Sequence, residues 1–271
     1  MNVEQALASA RTLGLARLDA SLLLGHQLQR RREWLIAHPL EPVEARAFEA
    51  FEAACRRCAD GVPVAYLTGR REFMGLELAL SADVLVPRPE TETLAQWAIE
   101  RLQAMPTGAK PRVIDLGTGS GALALAIAAA WPQAEVIATD CSAAALQVAR
   151  ANGQRLGLDV RFAKGDWWAA AGDRRFDLAV ANPPYIAEGD PHLGALRHEP
   201  QHALVAGETG LHALQQIIAE GPQHLAGWLL LEHGWNQADD VKRLMSVAGF
   251  SDVETRVDLN GVPRCTGGRA A

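Results

Sequence analysis

Residues 112–121 read Arg112-Val113-Ile114-Asp115-Leu116-Gly117-Thr118-Gly119-Ser120-Gly121. The first five form a short, mostly aliphatic run, the mark of a buried strand. Glycines then punctuate the chain, and a ten-residue apolar run from Ala122 to Trp131 carries on as a helix, read over Gly121–Trp131. Glycine in such a turn permits positive φ and lets a ligand approach the backbone, while the helix start offers unpaired N–H groups. A second strand, Glu135-Val136-Ile137-Ala138-Thr139, ends at Asp140, nineteen residues after Gly121 (140 − 121). An acid at that place can accept both ribose hydroxyls of an adenosine-type ligand.

Working outward, the alternation continues. A helix is expected over Ser142–Leu156, then strands at Val160–Phe162 and Phe176–Ala181. A helix at Leu211–Glu220, a strand at Gly227–Glu232 and a helix at Asn236–Ala248 follow, with last strands at Asp252–Val257 and around Arg264-Cys265-Thr266. Strands alternating with helices predict an α/β fold, a mostly parallel seven-stranded sheet with helices on both faces and a 3-2-1-4-5 order in its parallel part. Upstream the pattern differs. Leucines from Leu7 to Leu28 recur at helical spacing, a second helix runs over about 43–59, and Asp60-Gly61 closes it. Residues 1–75 are expected to form a small helical domain and 76–90 a hairpin linker, with hairpin-like alternation noticeable from Val64 onward. Residues 91–271 then hold the nucleotide-type domain.

Composition narrows the function. Of 271 residues, 49% are hydrophobic and 21% charged, a globular balance. The longest apolar run is half the roughly 20 residues a bilayer span needs, so no membrane partner is expected. Residues 1–80 hold ten of the 26 Lys and Arg and ten of the 32 Asp and Glu, so the net −6 falls entirely on residues 81–271. An acidic chain of this kind is not expected to bind long nucleic acid. Met1-Asn2-Val3-Glu4-Gln5 lacks the basic stretch of a secretory signal, and four scattered cysteines make no disulfide framework, so a cytoplasmic setting is expected.

The glycine loop alone leaves its nucleoside open, because Gly117-x-Gly119-x-x-Ala122 also fits a dinucleotide fingerprint. Asp115 favours S-adenosylmethionine over NAD: its carboxylate can face a cationic ligand and would repel a pyrophosphate. The second loop, Asn182-Pro183-Pro184-Tyr185, follows the fourth strand and should face the first loop where the sheet's winding reverses. Its residues suit methyl transfer to a planar NH2 group. The Asn182 side-chain oxygen and the Pro183 carbonyl can each accept one hydrogen, favouring a pyramidal nitrogen. Tyr185 can stack on the flat acceptor.

With both loops in view, the sequence resembles the class I S-adenosylmethionine-dependent methyltransferases, and more closely the HemK/PrmC family of protein-(glutamine-N5) methyltransferases. The resemblance rests on Pro87-Arg88-Pro89-Glu90-Thr91-Glu92, the glycine loop, Asn182-Pro183-Pro184-Tyr185-Ile186, Glu199-Pro200 with Ala203-Leu204, and Leu231-Glu232-His233-Gly234. It spans essentially the whole chain, including the helical N-terminal part. It implies a Rossmann-like fold, S-adenosyl-L-methionine as donor with S-adenosyl-L-homocysteine as product, and no metal. The implied acceptor is the glutamine of the Gly-Gly-Gln motif in class 1 peptide chain release factors, for which residues 1–75 would be a docking module. Cofactor contacts are expected from Asp115, Gly117, Thr118, Gly119, Ser120, Gly121, Asp140, Asp166, Trp167 and Asn182. Either Trp167 or Trp168 would cover the adenine. Asn182, Pro183 and Tyr185 are the catalytic candidates, and Pro184, Arg88 and Glu90 join them for acceptor binding, with Arg88 orienting the acceptor peptide or Glu90. A monomer is expected.

Other motifs read more plainly. Cys55-Arg56-Arg57-Cys58 has metal spacing but no second ligand pair, so zinc is not expected. His192, His198 and His202 read as surface or local hydrogen-bonding residues. A nucleic-acid amino-methyltransferase and a dehydrogenase-like nucleotide binder are the competing readings. The acid balance weighs against the first, and the absence of a hydride-handling site against the second.

Overall fold

The computed structural model describes residues 1–270. The chain divides into two units, a helical one of Met1–Arg70 with Gly194–His198 and a sheet unit made of the rest. The helical unit thus ends a few residues before the expected 75 and takes in a distant five-residue segment. It contains α1 (Val3–Thr12), α2 (Arg17–Leu28), α3 (Arg32–Ala37), α4 (Ala45–Ala59) and α5 (Val64–Thr68). Asn2 caps α1 through a reciprocal pair with Gln5. Val3, Leu23, Leu24, Leu35, Phe51 and Cys55 build its core. His198 Nε2 lies 3.1 Å from the Asp60 carbonyl, to which the Arg197 guanidinium also donates.

The hairpin reading of Val64–Gly69 is corrected by α5. Pro63 starts this single turn of helix and Gly69 ends it at φ 70°, a length at which alternation and helical spacing look alike. The hairpin lies later, in β1 (Arg70–Phe73) and β2 (Leu76–Ala79). It is no free linker. Phe73 and Leu78 are buried in the core of the sheet unit. Asn152, itself fully buried, accepts from the Ala79 N–H at 2.7 Å and donates to the Ala79 carbonyl at 3.0 Å.

The sheet unit continues with α6 (Thr91–Gln103), β3 (Arg112–Leu116), α7 (Ala122–Ala130), β4 (Glu135–Asp140), α8 (Ala143–Leu156), β5 (Val160–Lys164), β6 (Phe176–Ala181), α9 (His212–His224), β7 (Leu225–Glu232), α10 (Ala238–Val247), β8 (Ser251–Val257) and β9 (Pro263–Arg269). The strand order is β5-β4-β3-β6-β7-β9-β8. The first five run parallel and β9 is antiparallel to both neighbours. This is the expected seven-stranded, mostly parallel α/β sheet. Helix α9 runs four residues past the expected Glu220, carrying Pro222 inside its last turn.

Alternate strand residues serve two cores. Val113, Leu178, Val180 and Leu230 pack against α6 and α7. Ile114, Leu116, Ala179 and Leu231 pack against α9 and α10 on the other face. Helix α6 was not anticipated. Its buried residues Leu94, Ala95, Trp97, Ala98 and Leu102 surround more than one side of the helix, which blurs the amphipathic stripe.

Candidate active site

At the C-terminal edge of the sheet, Leu116 of β3 lies opposite both Thr139 of β4 and Ala181 of β6. Three loops therefore leave the sheet side by side, at the point where its winding reverses. They frame a cleft of about 870 Å³, solvent at its mouth included.

The glycine loop forms one wall through Gly117, Thr118, Gly119 and Ser120. The Gly117 and Thr118 amides both donate to the Thr139 carbonyl, at 2.9 and 2.8 Å. Gly117 sits at φ 75°, and a Cβ there would come within 3.1 Å of the Trp167 ring. Gly119 is open instead: a Cβ would meet nothing within 4 Å. Gly121 does not face the cleft. It packs on α7 and α8, where a Cβ would lie 3.0 Å from Leu125 and 3.3 Å from Ala149. Asn152 reaches this loop too, donating to the Ser120 carbonyl at 3.0 Å.

Asp140 lies where the sequence put it. Its carboxylate accepts from the Gly119 amide at 2.9 Å and from the Ser142 amide at 2.8 Å, which holds it at the cleft wall. Cys141, the exposed neighbour, also lines the cleft. Asp166 and Trp167 complete this side. The two tryptophans are placed differently. Trp168 is enclosed, donates from Nε1 to the Ile217 carbonyl at 3.0 Å and stacks on His224, whereas Trp167, at φ 41°, is partly buried and lines the cleft.

Asp115 is the main departure from expectation. It is 1% exposed and does not line the cleft. Oδ2 accepts from the Thr118 hydroxyl at 2.6 Å and from the Ala124 amide at 3.2 Å, while Oδ1 has no hydrogen-bond partner. On an alternating strand it shares the face of Val113, so it points under the loop at the start of α7 rather than across it. Burial pushes its carboxyl up to about 7, with Asp140 adding to the shift and the Thr118 and Ala124 bonds opposing it.

Asn182, Pro183 and Pro184 form the facing wall. Asn182 Nδ2 donates to Thr91 Oγ1 at 3.1 Å, which leaves the amide oxygen on the other side as acceptor. Tyr185 lies outside the lining. Its hydroxyl is 3.5 Å from Glu232 Oε1, and its carbonyl accepts from Gln237 Nε2 at 3.0 Å. Burial and the Glu232 carboxyl push the phenol well above its ordinary range. Glu90, too, lies outside the lining. Arg88 pairs with Glu199 at 2.5 Å, not with Glu90, and Glu199 Oε2 also accepts from the Val86 amide at 3.1 Å. That clamp fixes the segment whose Val84, Leu85 and Pro87 roof the cleft.

Sequence reasoning quoted Thr91 only within a motif, read His202 as a surface or local hydrogen-bonding residue, and did not single out Asn152. His202 lines the cleft rather than the plain surface, while His192 bonds Asp190 at 2.7 Å as a local pair. In the Leu231-Glu232-His233-Gly234 stretch, His233 is a tie between strands. A carbonyl can only accept, so Nδ1 donates to Gly234 O at 2.8 Å, and Nε2 accepts from Thr266 at 2.8 Å.

The glycine loop before a helix start, the Asp140 carboxylate, an aromatic ring and the open face at Gly119 fit S-adenosyl-L-methionine, an adenosine-bearing cation. Among the described residues, no group of His, Cys, Asp and Glu is placed to hold a metal ion. No helix of the described residues is long and apolar enough to cross a membrane.

Comparison with known proteins agrees with this geometry. A model described as PrmC N-terminal domain matches residues 2–69, and one described as Methyltransferase small domain matches residues 99–207. The chain is 49% identical over 269 residues to a release factor glutamine methyltransferase of Xylella fastidiosa, covering 97% of each. It is 50% identical over 260 residues to that of Bordetella pertussis, covering 94% of this chain and 95% of the relative. With the Escherichia coli protein of the same name, identity is 39% over 272 residues, covering 98% and 97%. Two solved structures share the fold. One is the hMettl16 catalytic domain, with TM-score 0.59, 16% identity and coverage of 79% of this chain and 81% of that one. The other is a methyltransferase from Pyrococcus furiosus, with TM-score 0.53, 19% identity and coverage of 72% and 89%. Matched across nearly its whole length, the chain belongs to the release factor glutamine methyltransferase family, HemK/PrmC.

Proposed function

We propose that this protein methylates the side-chain amide nitrogen of the glutamine in the Gly-Gly-Gln motif of class 1 peptide chain release factors. S-adenosyl-L-methionine, when bound, supplies an electrophilic methyl group and leaves as S-adenosyl-L-homocysteine. The observation that carries the reading is the Asn182 amide, held by Thr91 at the wall of a cleft whose other side is the glycine loop and Asp140.

An amide nitrogen is a poor nucleophile because its lone pair is delocalised. Asn182 Oδ1 and the Pro183 carbonyl, accepting one hydrogen each, would hold the NH2 in a pyramidal shape and restore that lone pair. Pro184 has no N–H to compete for these oxygens and stiffens the loop. The nitrogen gains a methyl group and loses one proton to solvent, so no strong base is needed. Asp140 is suited to the ribose hydroxyls, Trp167 to the adenine face, and Asp166, Thr118 and Ser120 to the remaining polar groups. Asp115 supports the loop from below. Arg88, clamped by Glu199, shapes the roof against which an acceptor peptide would lie, and the helical unit is read as its docking module. The chain is expected to act as a cytoplasmic monomer without nucleic acid.

The test is transfer of labelled methyl from S-adenosyl-L-methionine to a release factor, its Gln→Ala variant, DNA or ribosomal RNA. Label on the wild-type factor alone is expected, and label on nucleic acid alone would overturn the reading. Asn182→Ala should lower kcat by about 100- to 1,000-fold, the scale of a lost transition-state hydrogen bond. S-adenosyl-L-homocysteine affinity, followed by calorimetry, should fall much less.

A further inference from the structure

The sheet register sets Glu232 beside Asn182. Ala181 of β6 lies opposite Leu231 of β7, so the next residue of each strand leaves the sheet at the same level. By alternation both point to the face where Val180 and Leu230 meet α6. Thr91, the first residue of α6, stands on that face and accepts from Asn182 Nδ2 at 3.1 Å. The Thr91 hydroxyl also neighbours the Glu232 carboxyl and favours its charged form. From the other side the Tyr185 hydroxyl approaches Glu232 Oε1 at 3.5 Å. Glu232 is 1% exposed and its Oε2 has no hydrogen-bond partner. A carboxyl buried in this way is costly, and packing alone would be served by an apolar residue.

The carboxyl does something packing cannot. The two ends of an asparagine amide have nearly the same shape, so hydrogen bonding decides which end faces the cleft. A threonine hydroxyl can serve either end, donating to the oxygen or accepting from the nitrogen. An ionised carboxylate only accepts. It takes the Thr91 proton, leaving Thr91 only lone pairs for Asn182, which must then present Nδ2 to Thr91 and Oδ1 to the cleft.

We propose that ionised Glu232 is a positioning residue which, acting through Thr91, fixes the orientation of the Asn182 amide so that its oxygen meets the acceptor NH2. The inference rests on the reading of Asn182 as the group that grips the acceptor. The groups facing Glu232 are Thr91 and Glu90 at the start of α6, Tyr185 after β6, and Arg264 and Cys265 of β9. Burial pushes the Glu232 carboxyl up to about 7, Glu90 adds to this, and Thr91, Arg264 and Tyr185 oppose it. Protonated, the carboxyl can itself donate to Thr91, whose hydroxyl is then no longer obliged to point at it, and the amide is free to turn.

Two readouts test this on the full chain. The first, independent of activity, is the side-chain amide NMR signal of Asn182 against pH. It should shift with a midpoint near 7 in the wild type and stay flat in Glu232→Gln. The second is kcat for a release factor at saturating donor between pH 5.5 and 9. Wild-type kcat should rise through about 7. Glu232→Gln and Thr91→Val should lose that inflection and about 10- to 100-fold of kcat at pH 8, the scale of a misplaced reacting group. KM and S-adenosyl-L-homocysteine affinity should stay within about threefold, and Thr91→Ser should restore the wild-type profile. An Asn182 signal that ignores pH in the wild type, or an inflection that survives in both variants, overturns the proposal. If Glu232→Gln does not fold, Thr91→Val and Thr91→Ser decide alone. Failure of the wild type to label any release factor would sink the functional reading instead, and the NMR titration would still judge the amide orientation.

Discussion

Asp115 shows how far a residue type leads and where it stops. The sequence put a carboxylate before the first glycine of the loop, and opposite charge suggested that it meets the cation directly. Only the side-chain direction decides that, and alternation along β3 turns it beneath the loop to Thr118 and Ala124. Its burial has a thermodynamic sign. A carboxyl raised from 3.8 to about 7 on folding holds a proton that the unfolded chain has already lost. The stability this represents is whole below about pH 4 and is lost as pH rises through about 7. Asp115→Asn keeps an oxygen for both partners and carries no charge. Its melting temperature should fall less than the wild type's between pH 5.5 and 8, by about 4–8 °C, the shift that about 2 kcal/mol brings in a chain of this size. Equal pH dependence in scanning calorimetry would show that the carboxyl is not carrying the proton. The tryptophan pair makes the same point. Two adjacent rings are equivalent on paper, and only the place of Trp167 in the cleft lining and the enclosure of Trp168 tell them apart.

Among the elements, the parallel strands were legible because each is a short aliphatic run bounded by turn residues. Both loops were legible because topology alone brings the ends of β3 and β6 together. Helix α6 and the single turn α5 were not. One is buried on too many sides to show a stripe, and the other is too short to show a period. Asn152 was hidden for another reason: its partners, Ala79 and Ser120, are distant in sequence and bind through backbone atoms, which leave no trace in residue type. It is nonetheless the joint between the hairpin, α8 and the glycine loop. Asn152→Ala strands these buried backbone groups and should cost about 2–3 kcal/mol in urea unfolding. Donor-product affinity should weaken as well, because Ser120 loses its anchor. A loss of stability with unchanged affinity would confine Asn152 to holding the hairpin.

For the molecule as a whole, the change in periodicity set the end of the helical part at residue 75, but gave no sign of the chain's return to it. The chain leaves the helical unit at Arg70, re-enters it for Gly194–His198 and returns to the sheet unit at Glu199. Arg197 and His198 are bonded to the carbonyl of Asp60 at the close of α4. In hydrogen exchange under mild denaturant, residues 194–198 should therefore open in step with α1–α4 and not with the flanking β6 and α9. Opening together with β6 and α9 would refute that. The chain thus runs like a thread with one stitch passed back through the earlier piece. The stretch between Tyr185 and Glu199, which joins the Asn182–Tyr185 loop to the Arg88 clamp, has its last five residues grouped with the N-terminal helices. Fraying those helices would slacken the very segment that spans these two features, so a lesion more than a hundred residues upstream in sequence can be felt there without touching either.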